Sequence, residues 1–141
     1  MNIKYKKITY IAEINLKSKS AYKHQVLKMC DEFSKKGFKT NLYVINSSNI
    51  SFQNLKKNHI LKNNFKITQV FKNVDNLNFF LRFIFAIKIF FILKNKDELF
   101  YSRSILSSFI FSILGLKNIL EVHQPTSGFT KFIFYLFRKK I

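Results

Sequence analysis

A chain of 141 residues, 48% of them apolar, has the length of one globular domain and enough sequence to bury about two-thirds of its unfolded surface. Its net charge of +18, from 25 Lys+Arg against 7 Asp+Glu, asks for an anionic partner, yet only three of the cations are Arg, and no zinc spacing, RGG segment or RNP-like aromatic motif accompanies them. Nucleic acid is therefore disfavoured against anionic lipid headgroups, and the single cysteine, Cys30, excludes both an internal disulfide and a metal site built on two Cys.

Lys7–Glu13 (KITYIAE) has the β-branched and aromatic content of a buried strand. The lysines before it run straight into that short segment, which is no signal-peptide core, so a reducing cytoplasmic setting is expected. Ser20–Lys36 reads as a helix, with Tyr22, Val26, Met29, Cys30 and Phe33 forming one apolar face, Ser18 or Ser20 as cap and Gly37 as terminator. Cys30 on that face is expected to be a buried, inert thiol. Lys39–Ile45 is the second strand, completing a βαβ unit whose crossover should be right-handed.

Asn46–Asn64 reads as a polar loop with a short helical turn near Gln53–Lys57, and Phe65–Phe71 as the third strand. Asp75 or Asn76 can cap a helix over Leu77–Leu93. That helix is apolar nearly all round, but Arg82 and Lys88 would each cost about 2.5–3.5 kcal/mol near a bilayer centre, so it should pack on the sheet rather than span a membrane. Glu98–Ser102 is a fourth strand, Ile105–Leu114 a helix ended by Gly115, and Asn118–His123 a fifth strand. Pro125 and Gly128 mark a turn before a basic aromatic helix, Thr130–Lys140. Strands alternating with helices predict an α/β doubly wound parallel sheet of the Rossmann kind.

Such sheets bind ligands at the carboxyl ends of their strands, which directs attention to Glu13–Ser20, Asn46–Ser48, Ser102–Ser104 and His123–Gly128, three of which contain candidates. In Asn15–His24 the free N–H groups of a helix start could hold an anion beside Lys19 and Ser20, or the segment is an ordinary capped loop without GxGxxG or P-loop character. In Tyr101-Ser102-Arg103-Ser104, Arg103 either pairs with a phosphate or carboxylate or is solvated. In Glu121-Val122-His123, alternation puts Glu121 and His123 on one side, and His123 either faces ligand as acid, base or hydrogen-bond donor or is a buried imidazole tied to Glu121.

The run from Ser20 to Phe33, followed by Lys36-Gly37-Phe38-Lys39-Thr40, resembles the first helix and second strand of bacterial family 4 glycosyltransferases. Tyr101-Ser102-Arg103 resembles their Y-x-R strand end and Glu121-Val122-His123 their E-x-H strand end, in the same order, so the resemblance spans residues 7–140. It implies a GT-B fold, two Rossmann-like domains across a cleft, with residues 1–141 as the N-terminal, acceptor-side domain. It implies sugar transfer with retention and without a metal or other cofactor, the nucleotide-sugar donor being bound mainly by a C-terminal domain that is missing here. His123 would be the catalytic histidine, with Lys19, Ser20, Arg103 and Glu121 as substrate-binding residues. The acceptor would be an envelope glycan or a lipid-linked sugar at the inner face of the cytoplasmic membrane. The glycine pair usual in the family's first loop is replaced here by Lys17–Ser20, which puts close phosphate approach at that loop in question. Two other readings stay open: a membrane-associated α/β binding protein without catalysis, and a nucleic-acid-binding domain recruited by charge.

Overall fold

The computed structural model describes residues 6–46, 51–71, 74, 78–94, 97–122 and 128–138. In chain order it contains β1 (Lys7–Asn15), α1 (Ala21–Lys35), β2 (Lys39–Asn46), α2 (Phe52–His59), β3 (Lys66–Phe71), α3 (Phe79–Leu93), β4 (Leu99–Ser102), α4 (Ile105–Ile113), β5 (Asn118–Leu120) and α5 (Gly128–Arg138). The strands form one sheet in the order β3-β2-β1-β4-β5, and every neighbouring pair is parallel. The doubly wound α/β sheet expected from the sequence is what the chain forms.

Both faces of the sheet are covered, which is why β1 is buried without a break from Ile8 to Ala12. On one face Tyr10, Ala12, Leu42 and Val44 pack against Val26, Leu27 and Cys30 of α1 and Leu55 of α2. On the other, Ile11, Tyr43, Ile45 and Val70 meet Phe85, Ile89 and Leu93 of α3 and Phe111 of α4. Each large apolar side chain taken out of water here contributes about 1.5–3 kcal/mol. The chain first winds outward through β2 and β3, then crosses back over β1 through α3 to reach β4. Right-handed crossovers put the helices of the two halves on opposite faces. Cys30 is fully buried, and burial, then the charge of Asp31, pushes its thiol up, so it is unreactive as expected.

Side chains set most of the element ends. The Ser20 hydroxyl accepts the Lys23 N–H at the start of α1, and Gly37 follows its end at φ +87°. Where only a turn at Gln53–Lys57 was expected, α2 runs a full eight residues. Ser51 caps it, Leu55 anchors it in the core, Phe52 packs edge-on to Phe65, and Ile60 ends it in the left-handed region at φ +52°. Helix α3 starts later than expected, at Phe79, because the Asn78 side chain accepts the Leu81 N–H. The expected caps Asp75 and Asn76 lie outside the described residues. Strand β5 stops at Leu120 rather than His123, because its neighbour β4 stops at Ser102, the register partner of Leu120. There the Ser102 hydroxyl donates to the Ser104 carbonyl and accepts the Ser104 N–H, turning the chain into α4. Gly128, expected in a turn, opens α5 with φ +57°.

Among the described residues no helix is long and apolar enough to cross a membrane. The layer of α3, α4 and α5 nevertheless leaves Phe80, Phe91, Ile113, Leu114, Phe132 and Tyr135 exposed.

Candidate functional site

The winding of the chain reverses between β1 and β4, which are hydrogen-bonded neighbours. Connections leaving their carboxyl ends depart in opposite directions and open a crevice there. Glu13 near the end of β1, Arg103 and Ser104 after β4, and Glu121 after β5 are brought to this edge. Backbone bonds extend the alignment past the strands: the Arg103 N–H donates to the Ile11 carbonyl at 3.0 Å and the Glu121 N–H to the Ser102 carbonyl at 2.8 Å.

Two charge clusters occupy the edge. In the first, Arg103 grips Glu121 with two bonds, Nε to Oε2 at 2.8 Å and Nη2 to Oε1 at 2.7 Å. Its Nη1 donates to Gln25 of α1 at 3.2 Å, and its guanidinium lies 5.1 Å from the Tyr22 ring centroid. Tyr10 donates its hydroxyl to Glu121 Oε2 at 2.8 Å. The Arg103 side chain is only 3% exposed. Burial works against its charge, but the bond to Glu121 and the neighbouring Tyr10 outweigh it, and the guanidinium is held more firmly protonated than usual. Burial, and then the bond to Glu121, pushes the Tyr10 hydroxyl up out of the titrating range. Burial and then the Glu121 charge also raise Tyr101, whose ring lies 5.1 Å from that of Tyr10.

In the second cluster the Ser104 hydroxyl donates to the Glu13 carboxylate while accepting the Ser107 N–H as cap of α4. Arg82 Nε of α3 stands 3.5 Å from Glu13 Oε2 and is half exposed. Burial lifts Glu13 above the usual carboxylate range, and the Ser104 bond and Arg82 oppose this only in part. A carboxyl in this condition can accept or donate a hydrogen bond to a ligand hydroxyl.

The residues expected from the sequence are distributed unevenly over this arrangement. Arg103 and Glu121 come together, and each is the other's partner rather than a solvated group. Ser20 caps α1, its hydroxyl receiving the Lys23 N–H at 3.3 Å, while the Lys23 ammonium turns inward to the Leu16 carbonyl at 3.1 Å. Lys19 is exposed beside it. No described contact joins Lys19 or Ser20 to the Arg103 cluster; Gln25 and Tyr22, further along α1, make that link. His123 lies outside the described residues. Glu121, the expected partner of a buried His123, gives its oxygens to Arg103 and Tyr10. Glu13, Tyr10, Tyr22, Gln25 and Arg82 join the edge without having been singled out by the sequence. For Glu13 a signal existed, since it closes the first expected strand at the ligand-binding edge. The others depend on which strands become neighbours. Among the described residues no three His, Cys, Asp or Glu gather as a metal site would need.

Comparison of the chain with protein-family models, with curated proteins and with solved structures returns no match.

Proposed function

We propose that this chain is the N-terminal, acceptor-side domain of a retaining glycosyltransferase. Such an enzyme takes a sugar from a nucleotide-sugar and passes it to an envelope glycan or lipid-linked acceptor, without a metal. The observation that carries the reading is the pairing of Arg103 with Glu121. The two strand ends that resemble the family's Y-x-R and E-x-H motifs stand side by side at the ligand edge and are tied by a buried bidentate pair. In this reading the pair is structural support. It fixes Glu121, two residues before His123 in sequence, and the His123 imidazole hydrogen-bonds the transferring sugar or the acceptor. Glu13 joins the substrate-binding residues, and Lys19 and Ser20 lie at the rim. The donor is held by a second domain, and the protein works peripherally at the inner face of the cytoplasmic membrane.

The test is His123→Ala in the protein that carries both domains, assayed for transfer from nucleotide-sugars. Loss of a transition-state hydrogen bond should lower turnover on the order of 10²–10³-fold with an unchanged melting temperature. Unchanged turnover, or a melting temperature that falls in step with activity, removes His123 from the chemistry.

One observation favours a second reading, a membrane-associated α/β binding protein with no catalysis of its own. The exposed aromatic residues of α3 and α5 belong to a chain of net charge +18. Lipid binding without transfer activity in the two-domain protein would select it.

A further inference from the structure

Parallel sheets in α/β folds are normally covered on both faces. At the amino ends of its strands this sheet leaves an opening. The amino ends of β1, β2 and β3 line an open cavity of about 480 Å³ together with Asn64, Phe65 and Glu98, and no helical residue lines it. Lys7 of β1 is the register partner of Lys39 of β2, and Lys66 of β3 is the partner of Asn41, two residues beyond Lys39. Register partners and residues two apart share a face. The three lysines therefore stand on the same side of three adjacent strands, and all three are exposed.

Neither edge protection nor the capping of carbonyls accounts for these lysines. Lysine protects edge strands from pairing, but only β3 is an edge; β1 and β2 are interior. Lysines elsewhere in the chain satisfy carbonyls: Lys23 that of Leu16, Lys28 that of Ile60, Lys88 that of Val70. Lys7, Lys39 and Lys66 form no such bond and no ion pair among the described residues. Like charges directly opposite each other on neighbouring strands are destabilising, and Lys7 against Lys39 is such a pair.

We infer that this cavity binds a small ligand carrying more than one phosphate group. Asn41 and Asn64 add donors, since the side-chain oxygen of each already accepts, from Thr68 and from Lys56 respectively, leaving the amide N–H groups. Glu98, held by the Thr9 hydroxyl, is the one carboxylate in the lining and directs the anionic groups toward β2 and β3. Three adjacent strands span about 10 Å, more than one phosphate bridges, and the volume suits a small molecule. The site lies at the opposite end of the strands from the Glu13 and Arg103 clusters, so it does not depend on the transferase reading.

Calorimetric titration of the full chain with inorganic tripolyphosphate, and separately with orthophosphate, tests this. The pocket variant is Lys7→Gln/Lys39→Gln/Lys66→Gln. The control, Lys17→Gln/Lys36→Gln/Lys57→Gln, removes the same charge from exposed positions elsewhere. Expected are saturable tripolyphosphate binding by the wild type, weaker orthophosphate binding, a loss of about tenfold or more in the pocket variant and little change in the control. Tripolyphosphate should raise the melting temperature of wild type and control only, and without ligand the pocket variant should melt no lower than wild type. If the triple variant does not fold, Lys39→Gln alone should weaken binding severalfold. Equal losses in both triple variants reduce the effect to diffuse charge and overturn the proposal, as does an absence of saturable binding by the wild type. Loss of sedimentation with phosphatidylglycerol vesicles in the pocket variant alone overturns it in favour of a membrane contact.

Discussion

Arg103 and Glu121 sit on successive strand ends, 18 residues apart in sequence, and close a two-bond fork whose arginine is 3% exposed. Removing Glu121 takes from the Arg103 guanidinium the carboxylate that receives two of its bonds. Glu121→Ala should therefore cost about 3 kcal/mol, the lower end of the range for buried pairs because Glu121 retains some contact with solvent. Urea denaturation measures this. A loss below about 1 kcal/mol would class the pair with ordinary surface bridges.

Glu13 should be more stable as its amide. Its pKa is raised in the folded chain, first by burial. The stability tied to its protonated form is thus fully present below the unfolded value of about 4.3 and is lost as pH rises through the folded value. Glu13→Gln should match the wild type in acid and exceed it near neutrality on the order of 1 kcal/mol. A gap between the two proteins that stays constant from pH 4 to 7 would contradict this account of Glu13.

The contact between α1 and α2 should respond to pH in the opposite sense. His24 Nδ1 and His59 Nδ1 are 3.1 Å apart, so one ring donates and the other accepts. Burial, then Lys23, His24 and Lys28, depress the His59 pKa below its usual value. Its contribution is present above about pH 6.5 and is lost as pH falls through the lowered folded value. The melting temperature of wild type relative to His59→Gln should therefore shrink between pH 7.5 and 5. A difference that holds steady across that interval would show that the neutral pair contributes nothing.

The aromatic surface of α3 and α5 should bind anionic bilayers. Phe80 and Phe91 are 66% and 62% exposed, and the Lys94 ammonium lies 5.1 Å from the Phe91 ring centroid, pairing charge with apolar area. Sedimentation with phosphatidylglycerol vesicles should fall with added salt. Phe80→Ser/Phe91→Ser should weaken it about tenfold or more, since burying each ring contributes about 1.5–3 kcal/mol. Equal sedimentation with neutral and anionic vesicles would leave the lysine-rich composition without a role at membranes.

Much of the architecture could be read from the chain because its signals are local. The face formed by Tyr22, Val26, Met29, Cys30 and Phe33 repeats at helical spacing, Ser20 and Gly37 bracket it, and the helix lies between those marks. Local signals failed where a neighbour decides. Helix α2 extends to His59 because Phe52 finds Phe65 and Leu55 enters the core, contacts that a polar, Asn-rich segment does not announce. Its terminator, Ile60, is not the glycine usual at a left-handed helix end. Strand β5 is shorter than its own residues suggest because its neighbour β4 ends at Ser102, the register partner of Leu120. The Arg103–Glu121 fork was half legible: each residue marked a strand end, but their meeting requires β4 and β5 to be adjacent in a fixed register.

The strand order has a consequence for synthesis. The strand made first, β1, is the middle strand of the finished sheet. Its Ile8–Ile11 segment can pair on one side with β2 soon after emerging, but its other side waits for Leu99–Ser102. At roughly 5–20 residues per second that delay is on the order of ten seconds. Throughout it, the central strand of the sheet presents an open row of backbone donors and acceptors, a template for any other unfinished chain. Nascent forms halted before Leu99 should therefore clump on the ribosome's doorstep, and those halted after Leu120 should not.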